Sequence, residues 1–144
     1  MDGVDNPRLQ AALKYASRSW FVFPCHTPGA DGTCSCRHRD CQDTGKHPRT
    51  MNGFKDASVD ESQIRKWWGM WPDANVGIAC GPSGLHVLDI DPRHGGDESL
   101  ADLRTKHGEE WLATCIVQTG GGGTHYYYRA ATPPLRNRAG VLPG

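Results

Sequence analysis

Residues 25–57 are rich in Gly, Pro, Asp, Cys and His and poor in apolar side chains, so something other than burial must fix them. Within this run Cys34-Ser35-Cys36 and Cys41 give the spacing C-x-C-x4-C, and His47 lies six positions beyond Cys41. Three thiolates and one imidazole close a tetrahedral zinc site. Bound zinc adds folding free energy directly, which suits a Cys-rich loop at 25–50 that buries little of itself. The fourth ligand stays open at this level. His47 is favoured, and His26 is also within chain reach. Cys25 ends a strand-like run, and His38 lies between Arg37 and Arg39, whose charges oppose a nearby cation. Free thiols on a loop are the plain alternative. Such a ligand set leaves no position for substrate, so the zinc would be structural.

At 144 residues the chain suits one domain, 1–144, with a modest core. Lys and Arg total 16 and so do Asp and Glu, so any contact with nucleic acid must be local rather than a bulk basic effect. Basic side chains gather at Arg37, Arg39, Lys46, Arg49 and Lys55, and again at Arg129, Arg136 and Arg138. No apolar run reaches membrane-spanning length, and the polar start Met1-Asp2-Gly3-Val4-Asp5 lacks the form of a signal peptide. A cytoplasmic protein without membrane contact is expected. In a reducing compartment, six cysteines point to metal rather than disulfides.

Local patterning predicts a helix opened by Asn6-Pro7 and carrying Leu9, Ala12, Leu13 and Ala16 at helical spacing. A strand from Trp20 to Phe23 follows, ended by Pro24. Ser58-Val59-Asp60-Glu61 fits a capping box before Ile64, Trp67 and Trp68, with the helix ending near Gly69. Asn75 to Cys80 reads as a strand that turns through Gly81 to Gly84 into the next one, a hairpin in form. Asp97 to His107 reads as a helix with acids first, bases last and Gly108 as terminator. Strands at 113–118 and 124–128 flank a glycine run, and Pro133-Pro134 begins an unpatterned tail.

Leu85-His86-Val87-Leu88-Asp89-Ile90-Asp91 is a short strand by composition, which sets Leu85, Val87, Asp89 and Asp91 on one face. Two carboxylates converging at a strand end, with no Lys or Arg beside them on that face, repel each other unless a cation lies between them. A hard divalent metal suits the place, and a solvated acidic turn is the plain alternative. Thr119-Gly120-Gly121-Gly122-Gly123-Thr124-His125 joins two strands with glycines that let backbone amides approach an anion such as phosphate. A hairpin tip would serve as well. His125 shares a face with Tyr127, and Tyr126 shares the other with Tyr128.

Gly45-Lys46-His47-Pro48, Trp67-Trp68, the run from Pro72 to Ile78, the run from Gly84 to Asp91 and the run from Thr119 to Tyr127, in this order, resemble the bifunctional DNA primase/polymerase N-terminal domain. That family is a branch of the archaeo-eukaryotic primase superfamily, and the resemblance extends from near Ala11 to the last residues. It implies an α+β fold with an RRM-like, mixed or antiparallel core sheet, flanking helices and a zinc-stapled loop. It also implies template-directed nucleotidyl transfer, with Asp89 and Asp91 holding Mg2+ or Mn2+ and His125 touching the phosphates of a nucleoside triphosphate. Lys46 and Arg49, by charge and position in the loop, and Gly122 and Gly123, through backbone amides in the glycine run, are candidates for further nucleotide contacts. DNA template and primer, and a replicative helicase fused or separate, are the implied partners, in the setting of plasmid or phage replication. The family's third motif, a hydrophobic residue followed by aspartate, has no counterpart, because no Asp or Glu occurs between Trp111 and Gly144. A C-terminally truncated chain, at best weakly active alone, is therefore expected. The competing functions are a zinc-stabilised binding module without chemistry and a metal-dependent phosphohydrolase.

Overall fold

Asn6 caps the first helix, α1 (Pro7–Ala16), by accepting the amides of Arg8 and Leu9 at 3.0 and 3.2 Å, and Pro7 sits where its missing N–H costs nothing. The computed structural model describes residues 6–130, 132 and 135–140, so the polar start, the Pro133-Pro134 tail and the ending at 141–144 lie outside the described residues. Among the described residues, three α-helices and five strands form an α+β fold with two small antiparallel sheets. No helix there is long and apolar enough to cross a membrane. Backbone contacts divide the chain expected as one domain into two compact units, one ending at Ser83 and one beginning at Gly84.

In the first unit β1 (Val22–Cys25) pairs antiparallel with β2 (Asn75–Ile78), and α2 (Glu61–Met70) joins α1 over them. Leu9, Ala12, Ile64, Trp67 and Trp68 pack with Val22 and Ala74 into one buried cluster. The Trp68 indole N–H donates to the Ala74 carbonyl at 3.0 Å, which satisfies its polar atom inside the core. Two local expectations shift. The first strand starts at Val22 and runs through Pro24, because a two-stranded sheet has only edges and a missing N–H breaks no second ladder. Asp60, rather than Ser58, caps α2: its carboxylate accepts the Ser62 amide, while the Ser58 hydroxyl accepts the Asp60 amide, each at 2.9 Å.

The second unit contains β3 (Leu85–Ile90), α3 (Gly96–His107), β4 (Cys115–Gln118) and β5 (Thr124–Arg129), with strand order β3-β5-β4. The expected hairpin between β2 and β3 is absent. The ladder bonds of β2 go to β1, and those of β3 go to β5. Ile90 and Tyr126 on one face of the sheet pack with Leu100 of α3, which fixes the alternation and turns Asp89 and His125 to the other face. Gly108 terminates α3 at a φ of 73°.

Gly77 lets β2 lie against β1 side chains, since a Cβ there would stand 2.4 Å from the Phe23 ring and 2.9 Å from Cys25 Sγ. Gly77→Ala is expected to destabilise the protein by about 1–3 kcal/mol through overpacking. Gly69→Ala, inside α2 with nothing near the added methyl, is expected to stabilise it by up to about 1 kcal/mol. Urea denaturation of both variants checks the contrast.

Candidate metal clusters and strand-end site

The loop between β1 and α2 is tied down at both ends. The His26 amide donates to the His47 carbonyl at 2.9 Å, the Arg49 amide donates to the Pro24 carbonyl at 2.8 Å, and the Asn75 side chain donates to the Gly45 carbonyl at 3.0 Å. Gly45 takes a φ of 73°, and a side chain there would strike Pro28 at 2.7 Å, so this turn needs glycine to bring His47 back toward the thiols. Ligand atoms of Cys34, Cys36, Cys41 and His47 all lie within 4.8 Å of one another. His47 Nε2 is 3.4 Å from Cys34 Sγ and 3.6 Å from Cys41 Sγ. Soft thiolates with one imidazole fit a tetrahedral zinc ion. Burial pushes the Cys34 thiol up. The amides of Cys36 and Gly45, with His47 and Cys36 beside it, outweigh that and bring it down to about 6.

The three alternatives for the fourth ligand have other places. Cys25 packs with Phe23 and Ala79, and burial pushes its thiol up to about 11. His26 lies against His47 with ring centroids 4.4 Å apart and planes tilted by 32°, and its Nδ1 lies 2.8 Å from the Ser35 hydroxyl. His38 is exposed and outside the cluster. Lys46, also on this loop, is exposed. Arg49 donates to the Ser35 hydroxyl at 2.8 Å and lies 5.4 Å over the Trp71 ring, so the serine between two cluster cysteines orients it.

In the second unit the register sets Asp89 opposite His125, with His125 Nε2 3.4 Å from Asp89 Oδ1. Val87 and Tyr127 form the next pair on that face, and the His125 and Tyr127 rings are 6.2 Å apart. The Asp89 side chain is 65% exposed, so its oxygens are open to a ligand. Asp91 lies one residue beyond β3, with extended backbone at φ −109° and ψ 107°. It caps the short 3-10 turn Pro92–His94, and its carbonyl accepts the amides of His94 and Gly96 at 3.1 and 2.9 Å. A Cβ on Gly96 would lie 2.7 Å from the Asp91 amide, so Gly95-Gly96 serves this fold-back.

No Lys or Arg is expected beside the two acids on the strand face, but a cation reaches Asp91 from beyond the strand, Arg93. Its guanidinium grips Asp91 through Nε at 3.0 Å and Nη2 at 2.9 Å, and the Asp89 charge acts on it as well. Arg93 enters from the turn after the strand, which a count of residues on the strand face does not include. The paired hydrogen bonds from Arg93 outweigh burial and hold the Asp91 carboxyl well below the usual carboxylate range. The glycine run also differs from its expected form. The Gly122 amide donates to the Thr119 carbonyl at 3.0 Å and the Gly123 amide to the Thr119 hydroxyl at 2.9 Å, so both are spent inside the turn. Gly123 is required because a Cβ would meet the Ile90 carbonyl at 2.6 Å.

Zinc is expected in the purified protein, one equivalent by elemental mass spectrometry. His47→Ala should lose it and lower the thermal midpoint by roughly 10 °C, whereas His38→Ala should keep both.

A family model described as bifunctional DNA primase/polymerase, N-terminal, matches residues 12–144. No curated protein and no solved structure matches the chain. The match takes in every element from within α1 onward, both the thiol cluster and the acidic strand end. The chain therefore belongs to the Prim-Pol family of bifunctional DNA primase/polymerase N-terminal domains.

Proposed function

We propose that this protein is a template-directed nucleotidyltransferase whose reacting face is the Asp89 end of the second sheet. The observation that carries the proposal is the cross-strand pair of Asp89 and His125 at 3.4 Å, with Asp91 two residues on, in a chain of the Prim-Pol family. The RRM-like character of the core belongs to this reading, supported by an antiparallel β3-β5-β4 sheet backed by α3.

Asp89 and Asp91 offer hard carboxylate oxygens, the donor chemistry that suits Mg2+ or Mn2+. When bound, such ions supply charge neutralisation at the triphosphate and at the attacking and departing oxygens. His125, held by its strand register, points its Nε2 to the same place as the Asp89 oxygen and donates to a phosphate. Zinc at Cys34, Cys36, Cys41 and His47 has a structural part: it fixes the loop that carries Lys46 and Arg49, which we assign to phosphates of the nucleic-acid backbone. DNA template and primer and nucleoside triphosphates are the substrates on this reading. Template affinity falls steeply with salt if those cations carry it.

A second reading, a binding module without chemistry, has a specific observation in its favour: no Asp or Glu follows Glu110, so the β5 strand and the residues after it offer no third carboxylate. Primer extension with Mn2+ separates the two. Asp89→Asn removes an exposed charge that caps no turn, so stability should stay within about 0.5 kcal/mol while incorporation falls on the order of a thousandfold. DNA binding with no Asp89-dependent incorporation would support the binding module instead.

A further inference from the structure

The Asp91 carboxylate has no lone pair left for an incoming ion. Oδ1 accepts the Arg93 amide and Arg93 Nε, both at 3.0 Å. Oδ2 accepts Arg93 Nη2 at 2.9 Å and, with its proton on Nδ1, His94 at 3.1 Å. A carboxylate offers about four acceptor sites, and here all are used. The Arg93 amide is fixed by the turn, but its side chain is not: it is 64% exposed, and among the described residues its hydrogen bonds go to Asp91. The guanidinium also lies along the glycine turn, with a Cβ on Gly121 falling 3.5 Å from Nη2. That turn leads directly into β5 and His125.

We propose that Arg93 is a phosphate-binding side chain that occupies the cation position at Asp91 in the free protein and exchanges onto the triphosphate when a divalent ion takes its place. The inference rests on the metal-binding reading of Asp89 and Asp91. A guanidinium and a divalent ion compete for the same oxygens, and the arginine that leaves is already beside the turn preceding His125. The fork that fits a carboxylate fits a phosphate equally well, so the displaced side chain gains a new anionic partner as it loses the old one. Metal and nucleotide then favour each other: the ion frees the arginine, and the nucleotide's phosphates hold it away from Asp91.

The test is an electron paramagnetic resonance titration with Mn2+ alone and with Mn2+ plus dATP, on wild type, Arg93→Gln, Arg93→Lys and Asp89→Asn. Arg93→Gln should bind Mn2+ alone about tenfold more tightly, because a positive charge no longer opposes a dication at the same carboxylate. The same variant should bind dATP more weakly in the presence of Mn2+. Arg93→Lys keeps the charge and should stay near wild type for Mn2+ alone, which separates charge competition from any change in the turn. Equal Mn2+ affinity in wild type and Arg93→Gln, with binding still lost in Asp89→Asn, overturns the assignment of Arg93 and leaves the site reading standing. Mn2+ binding that ignores Asp89 in every protein overturns both.

Discussion

The end of β3 depends on Asp91. Its carbonyl holds the returning amides of His94 and Gly96, and its side chain holds the Arg93 amide, the Arg93 guanidinium and His94. That set of bonds, together with Pro92 and the left-handed Gly95, stops the strand, makes a single 3-10 turn and brings the chain into α3 within six residues. The same atoms decide the electrostatics of the candidate reacting face. Asp89, two positions earlier, is left exposed against His125, while Asp91 is neutralised by the chain's own cation. One carboxylate is thus open and one is closed, and any activity that needs both must exchange Arg93 for something else.

The first unit solves a different problem. Its core of α1, α2 and the β1-β2 pair is small and aromatic, and the loop between β1 and α2 adds little to it. Main-chain bonds at His26, Arg49 and Asn75 close the loop at its base, and the thiol cluster closes it at its tip. Ser35 links this scaffold to function: placed between Cys34 and Cys36, it receives Arg49, which then lies over Trp71. A metal at the cluster would therefore set the position of a guanidinium as well as the stability of the loop.

Much of this was legible in the sequence where the signal was local. Asn6-Pro7 and Gly108 mark helix ends through the side chains and φ values those ends require, and the structure has them there. Alternation along β5 set His125 and Tyr127 on one face and Tyr126 and Tyr128 on the other, and the structure adds that Tyr126 is the buried one. Cysteine spacing pointed to the thiol cluster, but the choice of His47 over His26 depends on the Gly45 turn, which chain distance does not encode. Pairing of β1 with β2 spans about fifty residues and has no local signature, so a short glycine turn suggested the wrong hairpin. Arg93 was missed for a related reason. Its position follows from Asp-Pro-Arg as cap, first helical residue and returning side chain, a signal that reading along the strand alone does not use.

The proposed reacting face stands or falls with a divalent cation held by the oxygens of Asp89 and Asp91 near His125. Paramagnetic broadening by Mn2+ in a two-dimensional NMR spectrum of labelled protein tests it most directly, because broadening falls off steeply with distance from the ion. At substoichiometric Mn2+, signals of Asp89, Asp91 and His125 should fade first, and Asp89→Asn should abolish the effect. Early broadening confined to other parts of the chain, with these three signals intact, would contradict it.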